Sequence, residues 1–301
     1  MLNRKDNMAF IIAHYHEEGK LPKHLLKHVK YIKKFSDQII FVSTKLSPIY
    51  IKQLKPHATV IVRPNRGYDF YSYKIGLNVI QNIEDIDHLI FFNSSFLTID
   101  PFKLYKQYLS RIAEDGLYGI SSCSAPQYHI QSYFFSFSGR ELIQSRAFWD
   151  WWGKLKPIDN REIVIRRYEV GMTQWFLKNS FKAYSVYKPN IFLSLILLYR
   201  YFSLGNLKVH SLLKKMSRYI TNRESFGFNV GFGLNPTHFL YDDIYKSFGI
   251  VKIDLLTRNP TNQNLDNFLK YLIQQKSNKI SSIKFLIQRN TNTTDKKLSR
   301  H

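Results

Sequence analysis

Cysteine is all but absent from this 301-residue chain: Cys123 stands alone, so no intramolecular disulfide forms. No charged-then-apolar leader with a small-residue cleavage site precedes the first apolar run, and both absences point to a reducing cytoplasm rather than secretion. Acidic residues are also scarce, with 22 Asp+Glu against 44 Lys+Arg and a formal net charge of +22. Such an excess predicts an acidic partner: nucleic acid, an anionic membrane face or a phosphorylated substrate. Zinc-ligand spacings, an RNP-like aromatic strand pair and a long lysine arm are all missing, which argues against nucleic acid. A transmembrane helix needs about 20 mostly apolar residues, and the run NIFLSLILLYRYF is broken too early, at Arg200. No internal repeat is visible.

What is present is a large core. Apolar residues make up 44% and aromatics 16% of the chain, enough for one sizeable catalytic domain and an appendage. Short apolar runs of strand length alternate with helical patterns. Met8 to His14 reads as a buried strand, Leu21 to Phe35 as a helix with a basic outer face, and Gln38 to Ser43 as a second strand. Pro48 to Leu54 (helix), Ala58 to Val62 (strand), Phe70 to Ile83 (helix) and His88 to Phe92 (strand) continue the alternation. Asp100-Pro101 opens a further helix with Asp as cap, and Gly116 to Ser121, Ser132 to Ser138 and Ala183 to Val186 are strand candidates. Arg161 to Tyr168 and Val170 to Asn179 read as two helices joined near Glu169, and Pro236 to Phe248 as one more. Strand-helix alternation of this kind predicts an α/β fold: a mostly parallel, Rossmann-like sheet flanked by helices. The division expected is 1–188 as the catalytic domain, 189–289 as a helical, basic C-terminal region and 290–301 as a mobile tail.

In an open parallel sheet, ligands bind beyond the carboxyl ends of the strands. Those ends read His14/Tyr15/His16, Ser43/Thr44, Arg63/Asn65/Arg66/Asp69, Asn93/Ser94/Ser95 and Ser121/Ser122/Cys123. Nearly all are polar, which predicts a nucleotide or nucleotide-sugar crevice. The unit from Val60 to Ser95 organises it: strand, polar turn, helix, strand, polar turn. Gly67 in NRGYD suits a tight turn or a close backbone approach. Asp69 either accepts hydrogen bonds from a nucleoside or caps the following helix. Arg63, Arg66 and Lys74 are candidates to stabilise a departing diphosphate, with at least one arginine expected to be merely solvated. His129 and Gln131 alternate with apolar residues and so share one strand face, where they face sugar or acceptor unless His129 is a hydrogen-bonded core residue. After Pro189 an apolar segment meets Lys208, Lys214, Lys215, Arg218 and Arg223. That pairing suits an anionic membrane surface, or else an ordinary core helix beside a solvated basic one.

The stretches RPNRGYDF with KIGL, FFNSSFLTIDPF, YHIQSYFFSF, REIVIRRYEVGMTQWFLKNSF and NPTHFLYDDIYKSFGIVKIDLLTRNP, in that order, resemble the rhamnan synthesis protein F family of bacterial polysaccharide glycosyltransferases. The resemblance implies a GT-A-like fold, a nucleotide-sugar donor and transfer of rhamnose or a related sugar to a lipid-linked surface polysaccharide. It places the protein at the inner face of the cytoplasmic membrane. Many glycosyltransferases carry an Asp-x-Asp pair after the fourth strand to hold magnesium or manganese, and family members often read Asn-Asp-Ser there. This chain reads Asn93-Ser94-Ser95, which supplies no carboxylate to a hard cation, so a divalent metal would rely on Asp69 or be dispensed with. Glu169, in the segment that resembles the family's Glu-containing one, is the candidate general base of an inverting transfer; its alternative role is to offset Arg166 and Arg167 or the helix dipole. A non-catalytic saccharide- or lipid-binding relative and a different nucleotide-binding enzyme are the competing classes.

Overall fold

The computed structural model describes residues 7–203 and 234–274. The first four strands, β1 (Met8–His14), β2 (Gln38–Ser43), β3 (Thr59–Val62) and β4 (His88–Asn93), fall on the apolar runs. There follow β5 (Phe96–Thr98), β6 (Gly116–Gly119), the paired short strands β7 (Ser122–Cys123) and β8 (His129–Ile130), β9 (Phe134–Ser138), β10 (Lys182–Ser185) and β11 (Ile250–Lys252).

Seven strands form one helix-flanked sheet in the order β10-β6-β9-β4-β1-β2-β3. All neighbours are parallel except β9, which runs antiparallel to both β4 and β6. No helix lies between β6 and β9, so the chain returns without the crossover that a parallel neighbour requires. The mostly parallel α/β fold read from the sequence is therefore the fold observed. β2 and β3 lie on one side of β1 and β4 on the other. The carboxyl ends of β1 and β4 thus part at a topological switch point, where such sheets take ligands.

Every residue of β1 is buried because successive side chains feed two different cores. Phe10 and Ile12 join Ile39, Phe41, Ile90 and Phe92 on one face, while Ala9, Ile11 and Ala13 join Ile40, Val42, Leu89 and Phe91 on the other. The first face is covered by the Lys23–Ile32 helix, which buries Leu25, Val29 and Ile32 together with His24 and His28 and exposes Lys23, Lys27 and Lys30. The basic outer surface is as expected; the two inward histidines had no role in the sequence reading. On the opposite face lies the Tyr68–Leu77 helix. A Cβ on Gly76 would stand 2.4 Å from Ile11 Cγ2, so only glycine lets this helix lie so close to β1. Asp100 caps the Pro101–Leu109 helix by accepting the Lys103 N–H at 3.0 Å, a bond worth about 1 kcal/mol.

Three readings change. Glu169 does not join two helices: Arg161–Val164, a π-helical turn at Ile165–Val170 and Gly171–Lys178 form one helical run with Glu169 inside it. Pro236 to Phe248 is two helices, Pro236–Phe239 and Tyr241–Phe248. The chain then adds β11, which pairs antiparallel with β5; three residues are too few for a period-2 pattern to show. Leu97 of β5 and Val251 of β11 pack with Tyr241, Leu255, Phe268 and Leu272 in a third apolar cluster.

The Ile191–Ser203 helix buries Ser194, Leu197 and Tyr201 and exposes Ile191, Phe192, Leu195 and Tyr199. Its Arg200 turns inward, pairing with both carboxylate oxygens of Asp242 at 2.9 and 3.0 Å. Among the described residues no helix is long and apolar enough to cross a membrane. Lys208, Lys214, Lys215, Arg218, Arg223 and the 290–301 tail lie outside the described residues.

Candidate active site

Two adjoining cavities open along the carboxyl edge of the sheet, and they share Tyr68, Asp69, Asn93 and Ser95 in their walls. The first, of about 610 Å³, is lined by His14, Tyr15, Thr44, Arg63, Asn65, Arg66, Gly67, Ser94 and Asp159 among others. The structure thus gathers there most of the residues singled out at the strand ends.

Their roles differ from one another. Gly67 precedes the Tyr68–Leu77 helix with φ 71°, and a Cβ on it would meet Tyr71 Cβ at 2.7 Å and Pro157 Cα at 2.8 Å. A tight turn packed against the 157 backbone is its reason for being glycine. Tyr68, with φ 51°, also sits in the left-handed region, an unfavourable conformation of the kind that gathers at functional sites. Asp159 holds the same turn, accepting the Gly67 N–H at 2.8 Å and facing Arg66 Nε at 3.4 Å. Arg66 is the solvated arginine.

Arg63 is not free to meet a phosphate. Its buried guanidinium donates to Ser72 Oγ at 2.7 and 3.0 Å, to the carbonyls of Pro64 at 2.8 Å and Tyr68 at 2.7 Å, and to that of Arg66. All five of its N–H donors are spent on shaping the turn. Lys74 is likewise committed elsewhere: it lines neither cavity, and its ammonium donates to the carbonyls of Gly153 at 3.0 Å and Leu155 at 2.7 Å. Both corrections have one cause, since carbonyls that the turn and the 146–155 segment leave unpaired capture the nearest cation.

His14, at the end of β1, is 1% exposed. Burial, with His16 beside it, pulls its imidazole down from 6.5 to about 4, so the ring is neutral near pH 7. The Ser43 hydroxyl donates to Lys45 O at 2.8 Å, and His14 Nδ1 lies 2.8 Å from Ser43 Oγ. Nδ1 is thus engaged by the Ser43 hydroxyl. Nε2 has no protein partner, and neither has Thr44 Oγ1 in the same wall. Unsatisfied buried polar atoms are rare in folded proteins, and these two are suited to hydroxyl or N–H groups of a ligand.

Asp69 is not the helix cap, because Gly67 holds that position and the helix has already begun at Tyr68. Its carboxylate instead accepts Asn93 Nδ2 at 2.7 Å. Burial pushes this carboxyl above its usual range, against the Asn93 bond and the charges of Lys252 and Arg63. Asn93 Oδ1 takes the Ser95 N–H at 3.0 Å and the Ser95 hydroxyl, and Ser94 Oγ takes the Tyr15 N–H at 3.3 Å. The turn that carries a metal motif in many glycosyltransferases is here a closed network of neutral groups with one carboxylate. Among the described residues, no group of three or more His, Cys, Asp or Glu is placed to hold a metal ion. Asp69 is the one carboxylate at this turn, so magnesium or manganese here would take its other oxygen ligands from phosphate and water.

The second cavity, of about 490 Å³, is lined by Gln131, Ser132, Tyr133, Arg161, Glu169, His238, Lys252, Asp254 and Arg258 among others. Glu169 accepts the Ser132 N–H at 3.0 Å and the Ser132 hydroxyl, and His129 Nε2 lies 3.5 Å from its other oxygen. Burial alone would raise this carboxyl, but the bonds and charge from His129 and the two bonds from Ser132 outweigh it and hold it below the ordinary glutamate range. It is ionised at neutral pH. His129 itself is buried and does not line the cavity. It stands behind Glu169, with Nδ1 2.8 Å from Gln127 O, so it is no direct contact for a sugar. Gln131 does reach the cavity wall, its Oε1 accepting the Ser121 hydroxyl at 2.6 Å. The sequence reading missed Asp159, Lys252, Asp254 and His238, which come from loops and short elements without a periodic pattern.

With the geometry in place, comparison with known proteins supplies the family. The chain matches rhamnan synthesis protein F over residues 39–289. It belongs to the rhamnan synthesis protein F family. Virulence protein VirA of Vibrio anguillarum is 30% identical over 210 residues, which are 67% of this chain and 63% of that protein. An uncharacterized protein, y4gN of Sinorhizobium fredii, is 26% identical over 136 residues, or 43% of this chain and 35% of that one. The chain thus spans less than two thirds of the length of these relatives. Among solved structures, a 4-diphosphocytidyl-2C-methyl-D-erythritol synthase from Anaerococcus prevotii is similar at 12% identity and a TM-score of 0.38, over 60% of this chain and 86% of that one. A cytidylyltransferase from Leptospira borgpetersenii is similar at 11% identity and a TM-score of 0.35, over 86% and 98%. Likenesses this distant carry no argument about activity.

Proposed function

We propose that this rhamnan synthesis protein F family member is an inverting glycosyltransferase that moves rhamnose or a related sugar from a nucleotide-sugar donor to a lipid-linked polysaccharide. The observation that carries the reading is the pair of cavities sharing Asp69, Asn93 and Ser95. One offers unpaired neutral polar atoms suited to a nucleoside, and the other an ionised carboxylate suited to an acceptor hydroxyl. The donor would lie in the first with its anomeric carbon at the shared wall, and the acceptor would approach from the second.

In the transfer, the acceptor oxygen bonds to the anomeric carbon as the carbon–phosphate oxygen bond breaks and its electron pair leaves on the diphosphate. The hydroxyl proton passes to Glu169. A carboxylate held below its usual pKa is a weak base, but the hydroxyl becomes strongly acidic only as its new bond to carbon forms, so a late proton transfer needs no stronger one. Ser132 and His129 hold the carboxylate in place. The exposed apolar side chains Phe192 and Leu195, close in sequence to the basic run 208–223, suit docking on an anionic membrane that presents the lipid-linked acceptor. Unchanged flotation with anionic liposomes after Phe192→Asp and Leu195→Asp would count against that docking.

The test of the main reading is turnover. The purified chain, given a panel of sugar nucleotides, should release nucleoside diphosphate. Binding without release on any acceptor would instead support a saccharide- or lipid-binding relative.

A further inference from the structure

The second cavity is lined by three basic residues that the transfer as described does not use, Arg161, Lys252 and Arg258, and Lys252 is the one that bonds to the turn after β4. Lys252 is the last residue of β11, paired with Phe96 of β5. That pairing carries its side chain to the turn after β4, where Nζ donates to Ser95 Oγ at 2.8 Å. The ammonium also lies 4.6 Å from the centre of the Tyr133 ring. An ammonium has three donors, and no carboxylate among the described residues lies within ion-pair distance of this one. Burial pulls its pKa below the ordinary lysine value, and Arg161 adds to that, while Asp254, Glu169 and Asp69 favour the charged form from further away. Ser95 belongs to the walls of both cavities, so the amine stands at their boundary.

We propose that Lys252 holds the donor's diphosphate at the Asn93–Ser95 turn, where a divalent cation stands in other glycosyltransferases. This rests on the transferase reading above. The turn offers a hard cation a single carboxylate, Asp69, and one oxygen of that already accepts Asn93 Nδ2. A lysine supplies positive charge without needing ligands, and lysine is a common point-charge partner for phosphate. When the anomeric bond breaks, the leaving oxygen gains a negative charge, and an N–H of Lys252 stabilises it with no proton transfer required. Partial burial has already stripped some water from the ammonium, which lowers the cost of exchanging water for phosphate. The sequence assigned this task to Arg63, Arg66 and Lys74; two of these are tied to backbone carbonyls, and Arg66 faces Asp159.

Inorganic pyrophosphate tests the assignment without knowledge of the nucleotide. In titration calorimetry with EDTA present, the wild-type chain should bind pyrophosphate, Lys252→Met should bind at least tenfold more weakly, and Lys252→Arg should stay within about threefold of wild type. An unchanged affinity in a folded Lys252→Met protein would show that the lysine only balances buried acids, and would overturn the proposal. The wild-type chain tests it independently of any variant: pyrophosphate affinity that requires magnesium or manganese is incompatible with a lysine-held diphosphate. Lys252-dependent pyrophosphate binding in a chain that turns over no sugar nucleotide would instead overturn the transferase reading and leave the anion site standing.

Discussion

The two cavities meet at Asp69, Asn93 and Ser95, yet they are built on opposite principles. The first is local and electrically quiet: most of its wall comes from four successive strand ends, its histidine is neutral, and its buried arginine is consumed by the backbone. The second is assembled across the chain, from Gln131 to Arg258, and it concentrates titratable side chains, with ionised Glu169 and the amine of Lys252 lining one space. The contrast teaches a division of labour. Hydrogen-bond complementarity without net charge selects a ligand, whereas opposed charges in a partly dry space act on a bond that is changing its own charge.

Acid should separate the two most strongly. His14 and His24 are held down to about 4 and His28 to about 3, all by burial first, and all three lie on β1 or the helix packed beside it. A folded-state pKa below the unfolded value of 6.5 means that the unfolded chain binds the extra proton. Stability is therefore full above 6.5 and falls with pH from there, by about 2 kcal/mol per ring by pH 5. The second cavity responds in the same direction but at lower pH: the Glu169 carboxyl is depressed, so its contribution is full above the ordinary glutamate value and is lost as pH falls through and below it. Melting curves and nucleotide binding followed from pH 7 to pH 5 should show loss of stability and of the first site while Glu169 stays ionised. A melting temperature flat across that interval would contradict the neutral, buried histidines.

Glu169→Gln should sharpen the contrast next. Loss of the base should lower transfer by a factor on the order of 100 or more while nucleotide affinity stays within about twofold, because the glutamine amide keeps the shape of the second cavity and leaves the first alone. Equal turnover by mutant and wild type would remove Glu169 from the mechanism. The smallest effect expected is from His14→Gln, which should weaken nucleotide binding by roughly 3- to 10-fold, the worth of one net hydrogen bond, with kcat nearly unchanged. A large fall in kcat with intact binding would mean that the division between the cavities is wrong.

The first cavity was legible in the sequence because its residues sit immediately after apolar runs that a parallel sheet must align. His14, Thr44, Asn65 and Asn93 could be placed from strand ends alone. What those residues do was less legible. That Gly67 rather than Asp69 ends the turn before the helix is a matter of one backbone angle, and the capture of Arg63 by four carbonyl and hydroxyl oxygens depends on how the turn coils back. The second cavity was hidden for a different reason. Lys252 ends a three-residue strand whose partner is 157 positions earlier in the hydrogen bond to Ser95, and no local pattern encodes such a distance. Glu169 was found through the resemblance, but its neighbours Ser132 and His129 were joined to it only by the fold.

The β5–β11 pairing has a bearing on the order in which this fold can come into being. Strands β1 to β4 and their helices leave the ribosome first, because the chain is built from its amino end. The wall that bears Lys252 and Asp254 does not exist until residues beyond 250 have emerged and doubled back onto Phe96–Thr98. The walls of the two cavities therefore come from parts of the chain that are made at different times.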